Sequence, residues 1–254
     1  MLILLPPSEG KTAPVSGLPL DLESLDLGAL NPTRERILTS LIAVSSGNTK
    51  RAMDRLGLGK TQTDALPRNA NLRHEPTARA DTVYSGVLYA ALDLASLDAM
   101  SRKHADDSVA VASALFGLVR PGDFIPAYRL SGDVMLPRLG SVAGIWRKKL
   151  GPVLTELVGD GMLIDLRSGM YVNLYKPAGE LADRTATMRV LHEHNGTRKV
   201  VSHFNKATKG RIVRALLETG VNPANMDDLE STLRDLGWTV ERAGNRFDII
   251  VSEV

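Results

Sequence analysis

Charged and hydroxyl-bearing side chains are concentrated in the stretch LFGLVRPGDFIPAYRLSGD, residues 115–133. They are Arg120, Asp123, Tyr128, Arg129 and Asp133. Arginine forms charge-assisted hydrogen bonds with anions, and a positioned tyrosine can pass on a proton. A nearly continuous apolar run, residues 109–119, leads into the stretch and ends in a turn at Arg120-Pro121-Gly122. Polar side chains on a loop that follows a buried element predict a binding site.

A second group of cations lies near the C-terminus, in HFNKATKGRIVRALL. The spacing of apolar residues predicts a helix with Ile212 and Leu216 inward, preceded by a strand around residues 199–201 and ended by Gly220. Its first turn would be crowded with cations, which the helix dipole disfavours there. A bound anion would compensate, so the segment predicts an anion site; the alternative is a basic surface facing acidic residues elsewhere. The cations are Lys206, Lys209, Arg211 and Arg214.

Two short apolar runs followed by polar residues predict strands that end at the rim of a ligand crevice. Residues 2–5 are followed by Ser8 and Lys11, and residues 162–166 contain Asp165. Gly10-Lys11-Thr12 is not a phosphate-binding P-loop, because Leu5 stands where that motif needs a glycine. A plain surface loop is the alternative for Ser8 and Lys11. Tyr84 and Gly86 are weaker candidates, since buried tyrosines usually serve packing.

Residues 31–66 resemble a helix-hairpin-helix element. A helix is predicted to begin at Asn31-Pro32 with Arg34 on its exposed side, and a second helix covers 49–55. The sequence LGLGKT then provides glycines whose N–H groups, with Lys60, could contact a phosphodiester without selecting bases. An ordinary glycine-rich helix end is the alternative.

Composition indicates one compact domain. The 254 residues are 43% hydrophobic and 24% charged, with a net charge of +2 and no cysteine. Disulfides, thiolate metal sites and thiol redox chemistry are therefore excluded. We expect a mixed α/β fold with a central sheet, flanking helices and a closing hairpin around Gly244-Asn245. The short N-terminal apolar run and the absence of a membrane span favour a cytoplasmic protein without a membrane partner.

His192-Glu193-His194 is the only local group of metal-binding residue types. Alternation along a strand would place both imidazoles on one face. Because no third ligand is in view and a turn at Asn195-Gly196 follows, we expect a solvent-facing loop and no metal or other cofactor.

Four segments resemble the YaaA peroxide-stress family: LILLPPSEGKT, FGLVRPGDFIPAYRL, MYVNLYKP and HFNKATKGRIVRALL. Their order extends the resemblance over nearly the whole chain, and the second and fourth segments are the most specific. The chain departs from better-known members at Ser8-Glu9-Gly10, at Lys209, where arginine is usual, and in the hairpin. The matching residues are Lys11, Thr12, Gly117, Arg120, Pro121, Tyr128, Arg129, Tyr171, Lys176, Lys206, Gly210 and Arg214.

The resemblance implies a cytoplasmic, single-domain mixed α/β protein that protects against hydrogen peroxide by limiting free iron. It also implies DNA binding through a positively charged cleft bordered by a helix-hairpin-helix element. In this first hypothesis, cationic and hydroxyl side chains contact phosphates without selecting sequence, so binding should weaken with salt. The binding residues would be Ser8, Lys11, Lys60, Arg120, Tyr128, Arg129, Lys176, Lys206, Lys209, Arg211 and Arg214.

The second hypothesis is an enzyme acting on a small phosphorylated or purine-like substrate. Six residues at predicted ends of core elements could converge on one pocket, lined by Lys11, Arg129, Asp165 and Lys206. The other two are Arg120 and Tyr128. Asp165 would be the general base or acid and Tyr128 a proton relay, with Lys206 a further catalytic candidate. A narrow pocket would favour this hypothesis, whereas a long basic groove would favour nucleic acid.

Overall fold

The computed structural model describes residues 1–252 and shows a single mixed α/β domain, which confirms the expected fold class. Its strands are β1 (Leu2–Leu5), β2 (Ala78–Arg79), β3 (Val109–Ser113), β4 (Gly117–Val119), β5 (Phe124–Ile125), β6 (Met135–Leu136), β7 (Gly140–Ser141), β8 (Leu163–Asp165), β9 (Thr185–His194), β10 (Thr197–Lys199), β11 (Thr239–Ala243) and β12 (Arg246–Ser252).

Helices cover both faces of the sheet formed by most of these strands. They are α1 (Asn31–Ser45), α2 (Thr49–Leu56), α3 (Ala65–Ala70), α4 (Ala80–Val83), α5 (Val87–Leu92), α6 (Ala99–Ser108), α7 (Val142–Arg147), α8 (Leu150–Val158), α9 (Glu180–Asp183), α10 (Ser202–Thr219) and α11 (Met226–Asp235). Short 3-10 helices occur at Gly28–Leu30, Leu94–Ser96 and Gly169–Leu174.

The central sheet has the strand order β11-β12-β9-β8-β1-β3-β4, with β10 paired to β9. Its middle strands are parallel: β1 pairs with β3 and β8, β8 with β9, and β9 with β12. β4, β10 and β11 pair antiparallel with their neighbours. Every residue of β1, β3 and β8 is buried, as expected for parallel strands covered on both faces.

The short apolar runs form strands where the sequence predicted them, at residues 2–5 and within 162–166. The closing hairpin is also confirmed, since β11 and β12 pair across Gly244, whose φ is +60°. The apolar run 109–119 is not one element. It makes β3 and then turns back as β4.

Arg34 contradicts the prediction that it lies on the exposed side of α1. Its side chain is fully buried and donates to the carbonyl oxygens of Phe116 (3.0 Å) and Leu118 (2.8 Å) and to Asn31 Oδ1 (2.8 Å). Burial of a guanidinium in the core is tolerated only when its N–H groups donate hydrogen bonds to such acceptors. The Asn31 side chain therefore accepts a hydrogen bond from Arg34 and does not cap the helix. Leu30 occupies the N-cap position that was predicted for Asn31.

None of the helices within residues 1–252 combines the length and apolar character that a bilayer crossing requires.

Candidate functional site

The carboxyl ends of three parallel strands meet at one edge of the central sheet. β1 lies between β3 and β8 and runs parallel to both, so the chain leaves this edge at Leu5, Ser113 and Asp165. Ligands of α/β sheets bind at such an edge, where loops rather than strands supply the side chains. The loop after β1 carries Ser8 and Lys11 to it.

Lys11 lies against aromatic rings above this edge. Its Nζ is 4.1 Å from the ring centroid of Tyr128 and 5.5 Å from that of Tyr84, and it donates to the carbonyl oxygen of Ser8 at 3.0 Å. Burial lowers the pKa of Lys11 to about 7; the carboxylate of Glu9 opposes this change, and the guanidinium of Arg129 adds to it. The amine can therefore be neutral near physiological pH.

A chain of hydroxyl groups runs beneath the amine. Tyr128 Oη lies 3.1 Å from Tyr84 Oη and 2.7 Å from Ser113 Oγ, which in turn accepts from the backbone N–H of Phe116 at 2.9 Å. Burial raises the pKa of Tyr128 well above its usual range, and that of Tyr84 in the same direction. Both phenols therefore stay protonated, and each can donate or accept a hydrogen bond within this chain. We call Lys11, Tyr84, Tyr128 and Ser113 the lysine site.

The lysine site is fixed by contacts from several loops. Ser8 Oγ accepts from the backbone N–H of Ser85 at 3.1 Å, and Tyr89 donates to the carbonyl oxygen of Pro6 at 2.7 Å. The rings of Tyr84 and Tyr89 stack with centroids 5.5 Å apart. Because these partners are held by other elements, the amine of Lys11 is positioned before any ligand arrives.

Arg129 and Glu9, whose charges act on Lys11, line an outer cavity. The Arg129 guanidinium pairs with the Glu9 carboxylate at 2.9 Å and donates to the Glu9 carbonyl oxygen at 2.7 Å. Asn69 holds the backbone of Arg129 through two hydrogen bonds, of 2.7 and 2.9 Å. Both members of the pair line the cavity, whose volume is about 830 Å³. Its other lining residues include Asp54, Arg55, Ser131, Asp133, Met135 and Met170.

Asp165 reaches the same edge but is not free to act as a base. Its two oxygens accept from the Arg167 guanidinium at 2.9 and 2.7 Å, and one also accepts from the Arg167 backbone N–H at 3.1 Å. Both side chains are buried. Arg167 also donates to the carbonyl oxygens of Tyr171 and Tyr175. The Asp165 carboxylate is thus fully hydrogen-bonded within the loop after β8, which leaves neither oxygen free for the general-base role predicted for it.

Helix α10 begins at Ser202, so the prediction that the four cations crowd its first turn is wrong. Lys209 therefore lies in the helix interior, buried, where its Nζ donates to the carbonyl oxygen of Leu166 at 3.3 Å, beyond the end of β8. Burial lowers the pKa of Lys209 to about 8, and the Asp165 carboxylate opposes the change. Lys209 and Asp165 thus share one edge of the sheet with the lysine site.

Helices α5 and α10 are in close contact around Gly210. A Cβ built on Gly210 would lie 2.3 Å from the carbonyl oxygen of Leu88, and Arg214 donates to that of Leu92 at 3.2 Å. Lys206 lies about one turn before Gly210 on α10. Lys206 is exposed.

Arg211 and Arg214 do not join the lysine site. Arg214 pairs with Glu218 at 2.9 Å and with Asp93 at 3.8 Å, and it donates to carbonyl oxygens at the end of α5. It therefore caps a neighbouring helix. Arg211 is exposed in the middle of α10. The predicted cluster of four cations at one helix terminus does not form.

Arg120 and Asp123 lie at the opposite end of β3. Arg120 Nη1 donates to the carbonyl oxygen of Val109, the first residue of β3, at 3.0 Å, whereas Tyr128 contacts Ser113, the last. Four residue steps of a strand separate these ends by about 13 Å. Asp123 accepts from the backbone N–H groups of Arg120 and Asp26 at 2.8 Å each. Arg120 therefore does not converge with Lys11. Arg120 and Asp123 instead stabilise a turn.

Lys60 and Lys176 are exposed and lie outside the lysine site. Lys60 follows α2 in the connection to α3, where Gly57 is left-handed with φ +63°. The N–H of Gly59 donates to Gln62 Oε1 at 2.9 Å. One N–H of the turn that was predicted to contact phosphate is thus already hydrogen-bonded within the protein.

His192 and His194 lie in β9, so the expectation of a solvent-facing loop is wrong. His192 is buried and its ring packs against Phe204, with centroids 4.5 Å apart. Within residues 1–252, no three histidine, aspartate or glutamate side chains are grouped as a metal site.

Comparison with known proteins identifies the family. Residues 1–243 match a family model described as "Peroxide stress protein YaaA". The chain belongs to the YaaA peroxide stress family. A UPF0246 protein of Streptomyces coelicolor is 48% identical over 261 residues, covering 100% of both chains. UPF0246 proteins of Corynebacterium efficiens and Corynebacterium glutamicum are 40% and 37% identical, covering 95% and 98% of each chain.

The positions that match the YaaA pattern include structural residues. Gly117 has φ +76°, and a Cβ there would lie 2.6 Å from the ring of Trp146. Pro121 is buried, and its carbonyl oxygen accepts from the backbone N–H of Asp81. Tyr171 is buried, and its carbonyl oxygen accepts from Arg167. Thr12 is exposed, and its N–H donates to the carbonyl oxygen of Val83.

Three residues that sequence reasoning did not single out complete the site. They are Glu9, Asn69 and Ser113. Arg167 had a local signal, because Asp165 and Arg167 both follow a short apolar run and can form a tight pair. Asn69 and Ser113 had none, since their partners lie 60 and 15 residues away.

Proposed function

We propose that this YaaA-family protein is an enzyme that acts on a small anionic substrate, phosphorylated or purine-like, at the lysine site. The observation that carries the proposal is Lys11, an amine held against Tyr128 with its pKa lowered to about 7. Amines whose pKa is lowered into the physiological range are typical of groups that transfer protons or act as nucleophiles.

In this proposal Lys11 accepts a proton from the substrate as a general base. Tyr128 donates a hydrogen bond to the developing negative charge, and its links to Tyr84 and Ser113 keep that phenol oriented. Arg129 binds the anionic group after exchanging its Glu9 partner for the substrate. Lys206, exposed on α10, supplies further positive charge in this proposal.

The outer cavity supports a small substrate better than a duplex. Its lining includes two arginines, Arg55 and Arg129, and three carboxylates, Glu9, Asp54 and Asp133. A channel for the nucleic acid backbone needs an excess of positive charge. This cavity has no such excess, whereas its volume of about 830 Å³ lies in the range for small-molecule pockets.

The test is a turnover screen with a panel of purine nucleoside monophosphates and other phosphorylated metabolites, followed by chromatography and mass spectrometry. We expect one substrate class to be converted, with a rate that rises through about pH 7 as Lys11 loses its proton. Lys11→Met should abolish turnover, and Tyr128→Phe should reduce it by roughly 10²-fold to 10⁴-fold.

Lys103→Met is the matched control, because Lys103 is an exposed lysine paired with Asp107 on α6, remote from this edge. Its rate should equal that of the wild type. An activity that survives in folded Lys11→Met, or that has no pH dependence near 7, would contradict the proposal.

DNA binding is the second candidate function, and exposed Lys60 in the connection between α2 and α3 favours it. Phosphate contacts of this kind make affinity fall steeply between about 50 and 200 mM salt. Fluorescence anisotropy with a short duplex should then show weaker binding and a smaller salt slope for Lys60→Ala. Binding that is insensitive to salt would count against this candidate.

The family resemblance implies that the protein limits free iron. In the same proposal, this lowering of free iron is a downstream effect of the reaction. Cells carrying Lys11→Met should then be as sensitive to hydrogen peroxide as cells lacking the protein. A variant that restores full resistance without turnover would separate the stress role from the enzyme.

A further inference from the structure

A second groove lies on the face formed by α1, α2 and the β6–β7 hairpin, and its volume is about 760 Å³. Its apolar lining comes from Ala43 and Val44 of α1, Ala52 of α2 and Leu139 of the hairpin. It is separate from the lysine site, although Arg55 and Pro137 also line the outer cavity.

Four arginines line this groove: Arg36 on α1, Arg51 and Arg55 on α2, and Arg138 on the hairpin. Their side chains have no ion pair or hydrogen bond to any residue within 1–252. The one carboxylate of the lining, Glu35, is paired with Arg73. Arg51 and Arg55 are four residues apart on α2 and therefore neighbours on one helix face. The groove thus combines unpaired positive charge with an apolar floor.

Arg138 is held in a conformation that normally favours glycine. Its φ is +60°, and the N–H of Leu139 donates to the carbonyl oxygen of Leu136 at 3.2 Å, which closes a turn with Pro137 at the second position. Glycine is the preferred residue at the third position of such a turn. A non-glycine residue with such a backbone is strained, and strain of this kind occurs preferentially at functional sites.

We propose that this groove binds an acidic amphipathic segment of a partner protein. Carboxylates of the segment pair with the four arginines, and its apolar side chains pack on Ala43, Val44 and Leu139. Helix-in-groove recognition places such apolar anchors along one face of the bound segment. A nucleic acid backbone would satisfy the arginines but would place phosphates over the apolar floor, which favours protein as the occupant. The proposal is independent of the reaction at the lysine site.

The test is a selection of random displayed peptides on the full chain, with counter-selection on the Arg51→Glu/Arg55→Glu variant. We expect the enriched peptides to combine acidic residues with apolar residues at helical spacing. Fluorescence anisotropy of a synthetic enriched peptide should show at least tenfold weaker binding to the double variant. Arg211→Glu, which changes an exposed arginine of α10, should bind the peptide as the wild type does.

Arg138→Gly distinguishes an effect on peptide binding from an effect on folding. It removes one cation of the groove, and at the same time it replaces a strained left-handed arginine with glycine, which accepts that backbone conformation. We expect a higher melting temperature together with weaker peptide binding. Failure to enrich peptides, enrichment of neutral sequences, or unchanged binding by Arg138→Gly would overturn the proposal. So would tighter binding of a short DNA duplex that the same arginine substitutions abolish, since this result would assign the groove to nucleic acid.

Discussion

Replacing Lys11 with methionine should change how the stability of the protein depends on pH. Methionine keeps the length and apolar stem of lysine but removes the amine that burial penalises. In the folded protein the pKa of Lys11 is lowered from 10.5 to about 7. Between these values the unfolded chain binds more protons than the folded one, so the free energy of unfolding rises with pH. Below about pH 7 both states are protonated, and the full cost of the buried charge applies.

The magnitude follows from the size of the change. Each pH unit within this window adds at most about 1.4 kcal/mol to the free energy of unfolding. The full interval corresponds to about 5 kcal/mol as an upper value, which water penetration and relaxation reduce. Between about pH 6 and pH 9, we expect the wild type to gain about 2 kcal/mol relative to Lys11→Met.

Urea unfolding at a series of pH values measures this difference. Titration of other groups, including Lys209 with its pKa lowered to about 8, cancels when the two curves are subtracted. Lys103→Met should give a curve parallel to that of the wild type. A Lys11→Met curve that is also parallel to the wild type would refute the reasoning, because it would mean that Lys11 has an ordinary pKa.

Three further substitutions test the scaffold of the site by the free energy of unfolding and by structure. Gly210→Ala should cost about 2 kcal/mol and separate α10 from α5, because its Cβ would meet the Leu88 carbonyl oxygen; an unchanged melting temperature would show that the helices are less tightly packed. Asp165→Ala should cost about 3 to 5 kcal/mol, since it leaves the guanidinium of Arg167 buried without its partner; a loss below about 1 kcal/mol would contradict the buried pair. Arg34→Met should cost about 3 kcal/mol because two carbonyl oxygens of the β3–β4 hairpin lose their donor, and a neutral result would place Arg34 at the surface.

Local patterns were sufficient to predict the main elements of the fold. Residues 2–5 form a strand because a short apolar run is followed by two prolines, and the closing hairpin forms because Gly244 accepts a left-handed backbone. The position of Lys11 in the loop just past the end of β1 likewise followed from the short apolar run before it. Each of these inferences depends on residues close together in the chain.

Predictions failed where contacts between residues distant in the sequence determine the structure. Arg34 occupies a helix position that alone indicates neither burial nor exposure, and only the distant β3–β4 hairpin supplies its acceptors. Helix α10 begins without a side-chain cap at Val201, so the sequence lacked the usual signal for its start. Arg120 lies in the same polar stretch as Arg129, but the stretch spans both ends of β3.

The buried amine could not be predicted from the sequence for the same reason. Lys11 follows a strand in a polar loop, which is typical of an exposed lysine. Its environment comes from Tyr84 and Tyr128, which lie 73 and 117 residues further along the chain. The charge pair that lines the outer cavity likewise joins Glu9 to Arg129 across the fold.

The most direct test of the proposed enzyme is the pKa of the Lys11 amine itself. It can be measured by NMR of lysine labelled with ¹³C next to the amine, with Lys11→Met to assign the signal. We predict a titration midpoint near 7, well separated from the exposed lysines. A midpoint close to 10.5 would contradict the account, because the amine would then be protonated at physiological pH and unable to act as a base.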